Sequence, residues 1–287
     1  MLVRIKVGGE LVEVNTSSKR SYISSLGESK YYAGRLTYYL LKTINNIPRL
    51  YGYIKGDPIN GWRETFERTF LNLITLDLDV AKNWFKAFYE VELTPLSIKG
   101  EVNEGGVAAK VELKEVPQLK EQGIRGTFEV DSFYFSKIEK VKPSIIPAGR
   151  VGYLSAFSKF LVIQYEKAPG IPKAFGIAAE FINSMILPQG FSDEINGHKI
   201  YVNQEENAVY MDKTPLQNAP PNVLSILALR TFLRRATENE LIIVEDPEIH
   251  LDESEINEVK ELLEKTRARV VLVTSDKIQQ LWDFNVT

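Results

Sequence analysis

The first fifteen residues alternate apolar and polar side chains on both sides of Gly8-Gly9. Leu2–Val7 and Leu11–Val14 each follow a period of two, which is the pattern of strands that bury one face. A Gly-Gly pair between two such runs is typical of a two-residue hairpin turn. We therefore predict a β-hairpin at the start of the chain.

The next segments predict a strand, a glycine-containing loop and a helix, in that order. Ser21–Ser25 has strand character, Gly27 and Gly34 mark the loop, and Arg35–Ile44 has apolar residues at helical spacing. Further helical spacing is found in Arg63–Leu73 and in Val80–Tyr89.

The pattern changes between residues 95 and 140, where three runs again alternate apolar and polar side chains. These runs are Ser97–Val102, Val107–Val116 and Gly126–Phe135. Glycine-containing turns separate them, as in an antiparallel sheet with one solvated face. We predict a β-rich insertion here, followed by a helical segment from about residue 150 to Leu187.

The C-terminal part of the chain predicts a hairpin followed by a parallel α/β unit. The hairpin strands are His198–Val202 and Ala208–Met211, and Asn222–Ala236 is helical. Two short apolar runs then flank a helix with one apolar face, which is the order of a βαβ unit with a buried parallel sheet. These three elements are Leu241–Val244, Ser254–Thr266 and Ala268–Val273.

Composition restricts the chemistry more than it identifies it. The chain has 287 residues, of which 44% are hydrophobic, and it contains no cysteine, so disulfides, zinc-thiolate sites and thiol catalysis are excluded. No window is apolar enough for a membrane span, and we expect a cytoplasmic protein without membrane contact. Because the net charge is -3, contact with nucleic acid would require a local basic patch.

One apolar strand is followed by an unusual acidic string. Leu241–Val244 runs into Glu245-Asp246-Pro247-Glu248-Ile249-His250-Leu251. This string resembles the Walker B segment and following loop of ABC-like P-loop ATPases, in the branch that contains the overcoming-lysogenization-defect and chromosome-maintenance proteins. The resemblance implies that Glu245 holds magnesium and that Asp246, one methylene shorter than the usual glutamate, is the catalytic base. The alternative is that both acids simply end a strand.

A second match to this ATPase branch lies near the N-terminus. Ser29–Thr37 falls in the register of the phosphate-binding pattern G-x-x-x-x-G-K-[ST]. The resemblance implies that Ser29, Gly34, Arg35 and Thr37 bind the nucleotide, although serine replaces the first glycine and arginine replaces the lysine. Leu36 stands where the magnesium-binding hydroxyl belongs, and it cannot coordinate a metal. An ordinary loop and helix start remains the alternative.

A third match is Ile146-Pro147-Ala148-Gly149-Arg150, which resembles an Ile-Pro-Ala-x-Arg element of the same branch. By this resemblance Arg150 faces the nucleotide; the alternative is a structural ion-pair partner.

Two other elements of this branch are altered. Pro220 and Pro221 replace the serine-rich signature before a helix, and Thr274-Ser275-Asp276 lacks the sensor histidine. The resemblance implies ATP and magnesium as cofactors, and the altered motifs are changes that could have removed their binding.

The resemblance implies an α/β fold, namely a P-loop NTPase (ABC-ATPase-like) sheet with flanking helices and a β-rich insertion. We divide the chain into 1–94, the insertion 95–140, and 141–287 with the Walker B-like strand. The preferred function is a catalytically impaired ATPase-like protein that binds a protein partner, either a second copy or a paralogous ATPase, in DNA maintenance. The alternatives are an active ATPase of DNA repair or defence and a nucleotide-free scaffold module.

Overall fold

The protein is described by a computed structural model in residues 1–24, 27–50, 58–75, 77, 86–93, 96–113, 141–158, 161 and 176–282. The chain divides into two compact units, Met1–Pro143 and Ser144–Thr287. Each unit is described by itself below.

The first unit contains a five-stranded antiparallel sheet with the strand order β2-β1-β4-β5-β6. Its strands are β1 Leu2–Val7, β2 Glu10–Asn15, β4 Ala87–Leu93, β5 Leu96–Asn103 and β6 Gly106–Leu113. A further strand, β3 (Arg20–Ser24), precedes the first helix. The predicted N-terminal hairpin is confirmed, and both glycines of its turn have positive φ values, 59° at Gly8 and 86° at Gly9, as that turn requires.

Two helices, α1 (Ser29–Leu50) and α2 (Pro58–Ile74), pack against this sheet. Along β1, the side chains of Val3, Ile5 and Val7 are buried and that of Lys6 is exposed, so the period-2 pattern corresponds to one buried face. Helix α2 adds a row of aromatic rings to the core, in which Trp62 stacks on Phe66 and Phe66 lies tilted against Phe70.

The sheet corrects two expectations. Ser97–Val102 and Val107–Leu113 are strands as predicted, but they continue the sheet of the N-terminal hairpin instead of standing apart as an insertion; the third predicted strand, Gly126–Phe135, lies outside the described residues. The helix predicted for Val80–Tyr89 is wrong from Ala87 onward, because side chains alternate between buried and less buried along β4. The short apolar run fitted both periods.

The second unit contains the predicted βαβ unit. Strands β12 (Glu240–Glu245) and β13 (Arg269–Thr274) are parallel neighbours, and β12 lies between β13 and β7 (Lys142–Ile146). The connecting helix is α6 (Glu253–Lys265). Five of the six residues of each parallel strand are buried, which explains their uninterrupted apolar sequences.

A small antiparallel sheet and several helices complete this unit. The sheet has the order β11-β10-β9-β8 and includes the predicted hairpin, together with β8, which the sequence pattern did not reveal. Its strands are β8 Ser192–Ile195, β9 His198–Asn203, β10 Ala208–Met211 and β11 Thr214–Pro215. The remaining helices are α3 Arg150–Phe157, α4 Gly176–Ser184, α5 Pro221–Arg235 and α7 Asp276–Gln279, with short 3-10 turns at Leu216–Asn218 and Gln280–Trp282.

The described residues therefore have a mixed α/β fold with several sheets, and that part of the fold prediction is confirmed. None of the described helices has the length and apolar character needed to cross a membrane.

Candidate functional site

The candidate site lies at the carboxyl end of β12, where the acidic string begins. The side chain of Glu245 is fully buried, and its Oε2 accepts a hydrogen bond of 3.1 Å from the backbone N–H of Ala148. The next residue, Asp246, is also buried and has a φ of 40°. A positive φ is uncommon for a non-glycine residue, and a following proline restricts the backbone further. The site therefore contains backbone strain at the predicted catalytic base.

Arg150 holds the backbone of this acidic loop in place. Its side chain is fully buried, and its guanidinium donates to backbone carbonyl oxygens along the loop. These bonds are Nη1 to Glu245 at 3.0 Å, and Nη2 to Asp246 at 3.1 Å, to Pro247 at 3.1 Å and to Ile249 at 3.4 Å. Such buried carbonyl groups need partners, because an unpaired one costs free energy comparable to a lost hydrogen bond.

The Nε–H of the guanidinium is also used by the protein. Arg150 Nε donates to Ser225 Oγ on α5 at 2.9 Å, and Ser225 Oγ donates in turn to the Ile249 carbonyl at 3.2 Å. Burial lowers the pKa of Arg150 to about 10, although the carboxylates of Glu248, Asp246 and Glu245 act in the opposite direction. The side chain is still charged at neutral pH, so the loop contains a buried cation that donates hydrogen bonds to backbone carbonyls and to a serine hydroxyl.

Glu248, the third acid of the string, fastens the loop to the end of β13. Its Oε1 accepts from Thr274 Oγ1 at 3.0 Å, and its Oε2 accepts from Trp282 Nε1 at 3.1 Å. Thr274 and Trp282 are both fully buried. Both carboxylate oxygens of Glu248 thus accept hydrogen bonds from buried side chains. One of these donors, Thr274, belongs to the segment that lacks the expected sensor histidine.

The structure brings together Arg150, Glu245 and Asp246, which belong to two of the three matched segments. The contacts of the Arg150 guanidinium are hydrogen bonds to backbone carbonyls and to Ser225 Oγ, which differ from the ion pair expected as the alternative. The described residues contain no group of three or more histidine, aspartate and glutamate side chains arranged to hold a metal ion. Magnesium at Glu245 would complete its coordination with water and phosphate oxygens.

The predicted nucleotide-binding residues of the N-terminal segment are all in α1, in the first unit. The helix begins at Ser29, so the loop predicted for residues up to Gly34 is wrong and the helix starts six residues earlier than Arg35. A helical backbone directs its N–H groups to carbonyls one turn earlier, which is already visible where Tyr32 N donates to Glu28 O at 3.3 Å. The amides of Ala33, Gly34 and Arg35 are therefore used within the helix.

The side chains of the predicted phosphate-loop segment, Ser29–Thr37, also have contacts within the first unit. Thr37 is fully buried, and its Oγ1 donates to the Ala33 carbonyl at 2.8 Å, so the hydroxyl has the common back-bonded geometry of a mid-helix threonine. Leu36 is buried in the core, whereas Ser29 and Arg35 are half-buried. Ser29 lies against the hairpin turn, because a Cβ added to Gly8 would be 2.5 Å from Ser29 Oγ.

The signature position is occupied by a proline cap. Pro220 is the N-cap of α5, Pro221 is its first residue, and no side chain caps the helix. The first N–H of the helix is absent at Pro221, which removes one of the donors that a helix N-terminus offers to a phosphate.

Sequence reasoning missed Ser225 and Trp282, and it named Thr274 only within the segment that lacks the sensor histidine. Ser225 is a fully buried serine with apolar neighbours on both sides in α5, and a serine inside such an apolar run is the signal that was available. Thr274 and Trp282 carry no local signal, because their partner Glu248 is 26 and 34 residues away.

Comparisons with known proteins give little additional information. No protein-family model and no curated protein matches this chain. Among solved structures, the chain is similar to a crystal structure of the SmcHead bound to the C-winged helix domain of ScpA, with a TM-score of 0.44 and 10% identity over 98% of this chain and 91% of that chain. This similarity is too low to assign a family.

Proposed function

We propose that this chain is an ATPase-like protein of ABC-type P-loop ancestry that does not hydrolyse ATP and that acts by binding a protein partner. The observation that carries the proposal is the regular helix through the phosphate-loop register. Because α1 begins at Ser29 and Thr37 Oγ1 is bonded to Ala33, the groups that would surround a phosphate and its magnesium ion are used inside the helix.

The acidic loop supports the same conclusion from the second unit. Phosphoryl transfer depends almost entirely on positioned charges around the phosphate and magnesium. Here Arg150 is bonded to four carbonyls and a serine hydroxyl, and Glu248 is bonded to Thr274 and Trp282. These contacts stabilise a loop of ATPase-like sequence without using the groups for catalysis. A second copy of this chain or a related ATPase is the partner we propose, with DNA maintenance as the setting that the sequence resemblance implies.

A specific observation favours an active ATPase as the second candidate. Glu245 retains its position at the carboxyl end of a buried parallel strand, and the adjacent Asp246 has a strained backbone. Strain of this kind is often found at functional sites. In this candidate Arg35, Glu245 and Asp246 act on the nucleotide, and a second subunit supplies the groups that are missing.

The test is a titration of the purified chain with ATP and magnesium by calorimetry, together with a steady-state turnover assay. We expect the turnover of the unchanged chain to equal that of Glu245→Gln. The glutamine can still accept the Ala148 N–H, so the control keeps the fold. Magnesium-dependent turnover that disappears in Glu245→Gln would establish the second candidate instead.

If no turnover is found, the calorimetric binding result distinguishes a nucleotide-responsive protein from a nucleotide-free scaffold. Binding of ATP without turnover would give a nucleotide-responsive partner protein, in which Arg35 is the cation that pairs with phosphate. Absence of heat at millimolar ATP would give a nucleotide-free scaffold.

A further inference from the structure

A depression of about 630 Å³ lies where the C-terminal ends of α5 and α6 meet, in the second unit. The two helix ends are joined by a buried hydrogen bond of 2.9 Å from Thr266 Oγ1 to the Leu233 carbonyl. Its lining includes Leu233, which is almost fully buried, and Leu262, which is half-buried. The depression is therefore formed by two helices that are held together.

Among the residues that the structure describes, the lining of this depression contains four cations and no carboxylate. Arg234 is paired with Asp193 at 3.0 Å, and Lys265 is paired with Glu261 at 3.0 Å. Arg235 donates instead to backbone carbonyls, at 2.9 Å to Ile186, and burial lowers its pKa. Arg267 is exposed, and in the described part of the chain no carboxylate pairs with Arg235 or Arg267. The lining keeps uncompensated positive charge.

Helix dipoles explain only part of this arrangement. Cations stabilise the C-terminal turn of a helix by interacting with its last carbonyl groups. Arg234, Arg235 and Lys265 are in the last turns of α5 and α6. Arg267 lies beyond the C-cap Thr266, yet it lines the same depression. A helix-capping role therefore does not account for the whole cluster.

We infer that this depression binds an acidic segment of a partner protein, with a carboxylate at the exposed Arg267, further acidic side chains near the other cations, and an apolar side chain against Leu262. This inference rests on the proposed function, in which the chain acts by binding a protein. Arginine forms paired hydrogen bonds with carboxylates, and a half-buried leucine among cations fits an apolar side chain of an acidic peptide. A nucleic acid fits less well, because none of the described residues that line the depression has an aromatic ring for base stacking.

The test uses synthetic peptides on the full chain, measured by fluorescence anisotropy. Each peptide places Asp or Glu on both sides of one Leu, and a matched set carries Asn and Gln at the same positions. We expect the acidic set to bind about tenfold more tightly than the amide set, because the rim is cationic. The double variant Lys265→Glu with Arg267→Glu should remove that preference and favour peptides in which Lys replaces the acids.

The matched control is Lys213→Glu with Lys277→Glu, which are exposed cations of the same unit with the same change in charge. This control should alter affinity less than twofold, since long-range charge is screened by salt. Arg235 is left unchanged in both variants because its bonds to the carbonyls of Ser184 and Ile186 hold the end of α5.

Several results would overturn the inference. The first is an affinity weaker than millimolar for every acidic peptide, and the second is equal affinity for the acidic and amide sets. The third is a loss of affinity in the control variant as large as that in Lys265→Glu with Arg267→Glu. The fourth is displacement of the peptides by duplex DNA that depends on Lys265 and Arg267. Turnover measured on the same preparation separates the two proposals. Peptide binding together with ATP turnover would support the site and contradict the proposed function. If the chain neither binds peptide nor hydrolyses ATP, the proposed function is retained and the site is rejected.

Discussion

At the scale of single residues, the buried arginine of the acidic loop shows how one side chain organises a candidate site. Arg150 satisfies the carbonyls of Glu245, Asp246, Pro247 and Ile249 at once. Its importance could not be predicted from the sequence, because an isolated arginine has many uses and the acceptors are backbone atoms almost a hundred residues away. The Ile-Pro-Ala-x-Arg resemblance indicated the residue, and the structure gives its role.

We expect Arg150→Met to destabilise the protein strongly. Methionine has similar length but no donors, so several buried carbonyls would lose their partner, at about 1–3 kcal/mol for each unsatisfied group. A total loss of about 3 kcal/mol or more should appear as a lower urea midpoint at unchanged m value. Arg267→Met, at an exposed position, should stay within about 0.5 kcal/mol. A loss for Arg150→Met as small as the control would show that the loop does not depend on this arginine.

A second residue-scale prediction concerns Glu180 on α4. Burial raises the pKa of Glu180 to about 7 from its ordinary value of 4.5. Between these values the folded chain binds a proton that the unfolded chain has released, so stability decreases as the pH rises from 4.5 to 7. Glu180→Gln cannot ionise, and its free energy of unfolding should rise relative to the unchanged chain between pH 5 and pH 7.5. An equal difference between the two chains at both pH values would contradict this origin.

At the scale of elements, periodicity identified most strands and failed where a short run fitted two periods. The parallel strands β12 and β13 and the helix between them were predicted within one or two residues, because each has a strong, single pattern. Residues 87–89 were assigned to a helix, but they form the first part of β4. The start of α1 was misplaced because Gly34, a helix-weakening residue, suggested a loop. Its position inside the helix depends on the surrounding core, where Ala33, Leu36 and Thr37 are buried.

The early start of α1 predicts slow amide exchange in the phosphate-loop register. The N–H groups of Ala33, Gly34 and Arg35 lie beyond the first turn of α1 and donate within it. We expect hydrogen–deuterium exchange at these residues to be slow without nucleotide and unchanged when millimolar ATP and magnesium are added. Val12 and Val14, in the hairpin strand β2, provide a protected reference in the same unit. Fast exchange that ATP slows would indicate a phosphate-binding loop.

At the scale of the whole molecule, the sequence could not show which segments share a sheet. Alternation predicted β5 and β6, but it does not specify the neighbouring strand, because partners are chosen by packing between distant segments. The runs predicted as an insertion proved to extend the N-terminal sheet, with β4 between β1 and β5. The acidic loop is similar: its sequence was recognisable, but the contacts of Glu248 with Thr274 and Trp282 come from folding of the whole second unit.

The charge of the whole molecule leads to a prediction about nucleic acid. The net charge is -3, and in the cationic depression Arg234 and Lys265 already have carboxylate partners. Affinity for duplex DNA comes mainly from neutralised phosphates and falls with salt, with a slope of about -0.9 for each phosphate contact. Because Arg235 and Arg267 are the two cations of the depression without a carboxylate partner in the described residues, we expect a slope no steeper than about -2.

The measurement is fluorescence anisotropy with a labelled duplex over a series of salt concentrations. We expect binding to be weaker than about 10 μM at physiological salt, and any binding at low salt to disappear as salt is added. The variant Lys265→Glu with Arg267→Glu should remove the low-salt binding, and Lys213→Glu with Lys277→Glu should reduce it only slightly. Submicromolar binding that persists at physiological salt would require many more phosphate contacts than this depression provides. That result would place a nucleic-acid surface elsewhere on the chain and would favour the active ATPase of DNA repair over the partner-binding protein proposed here.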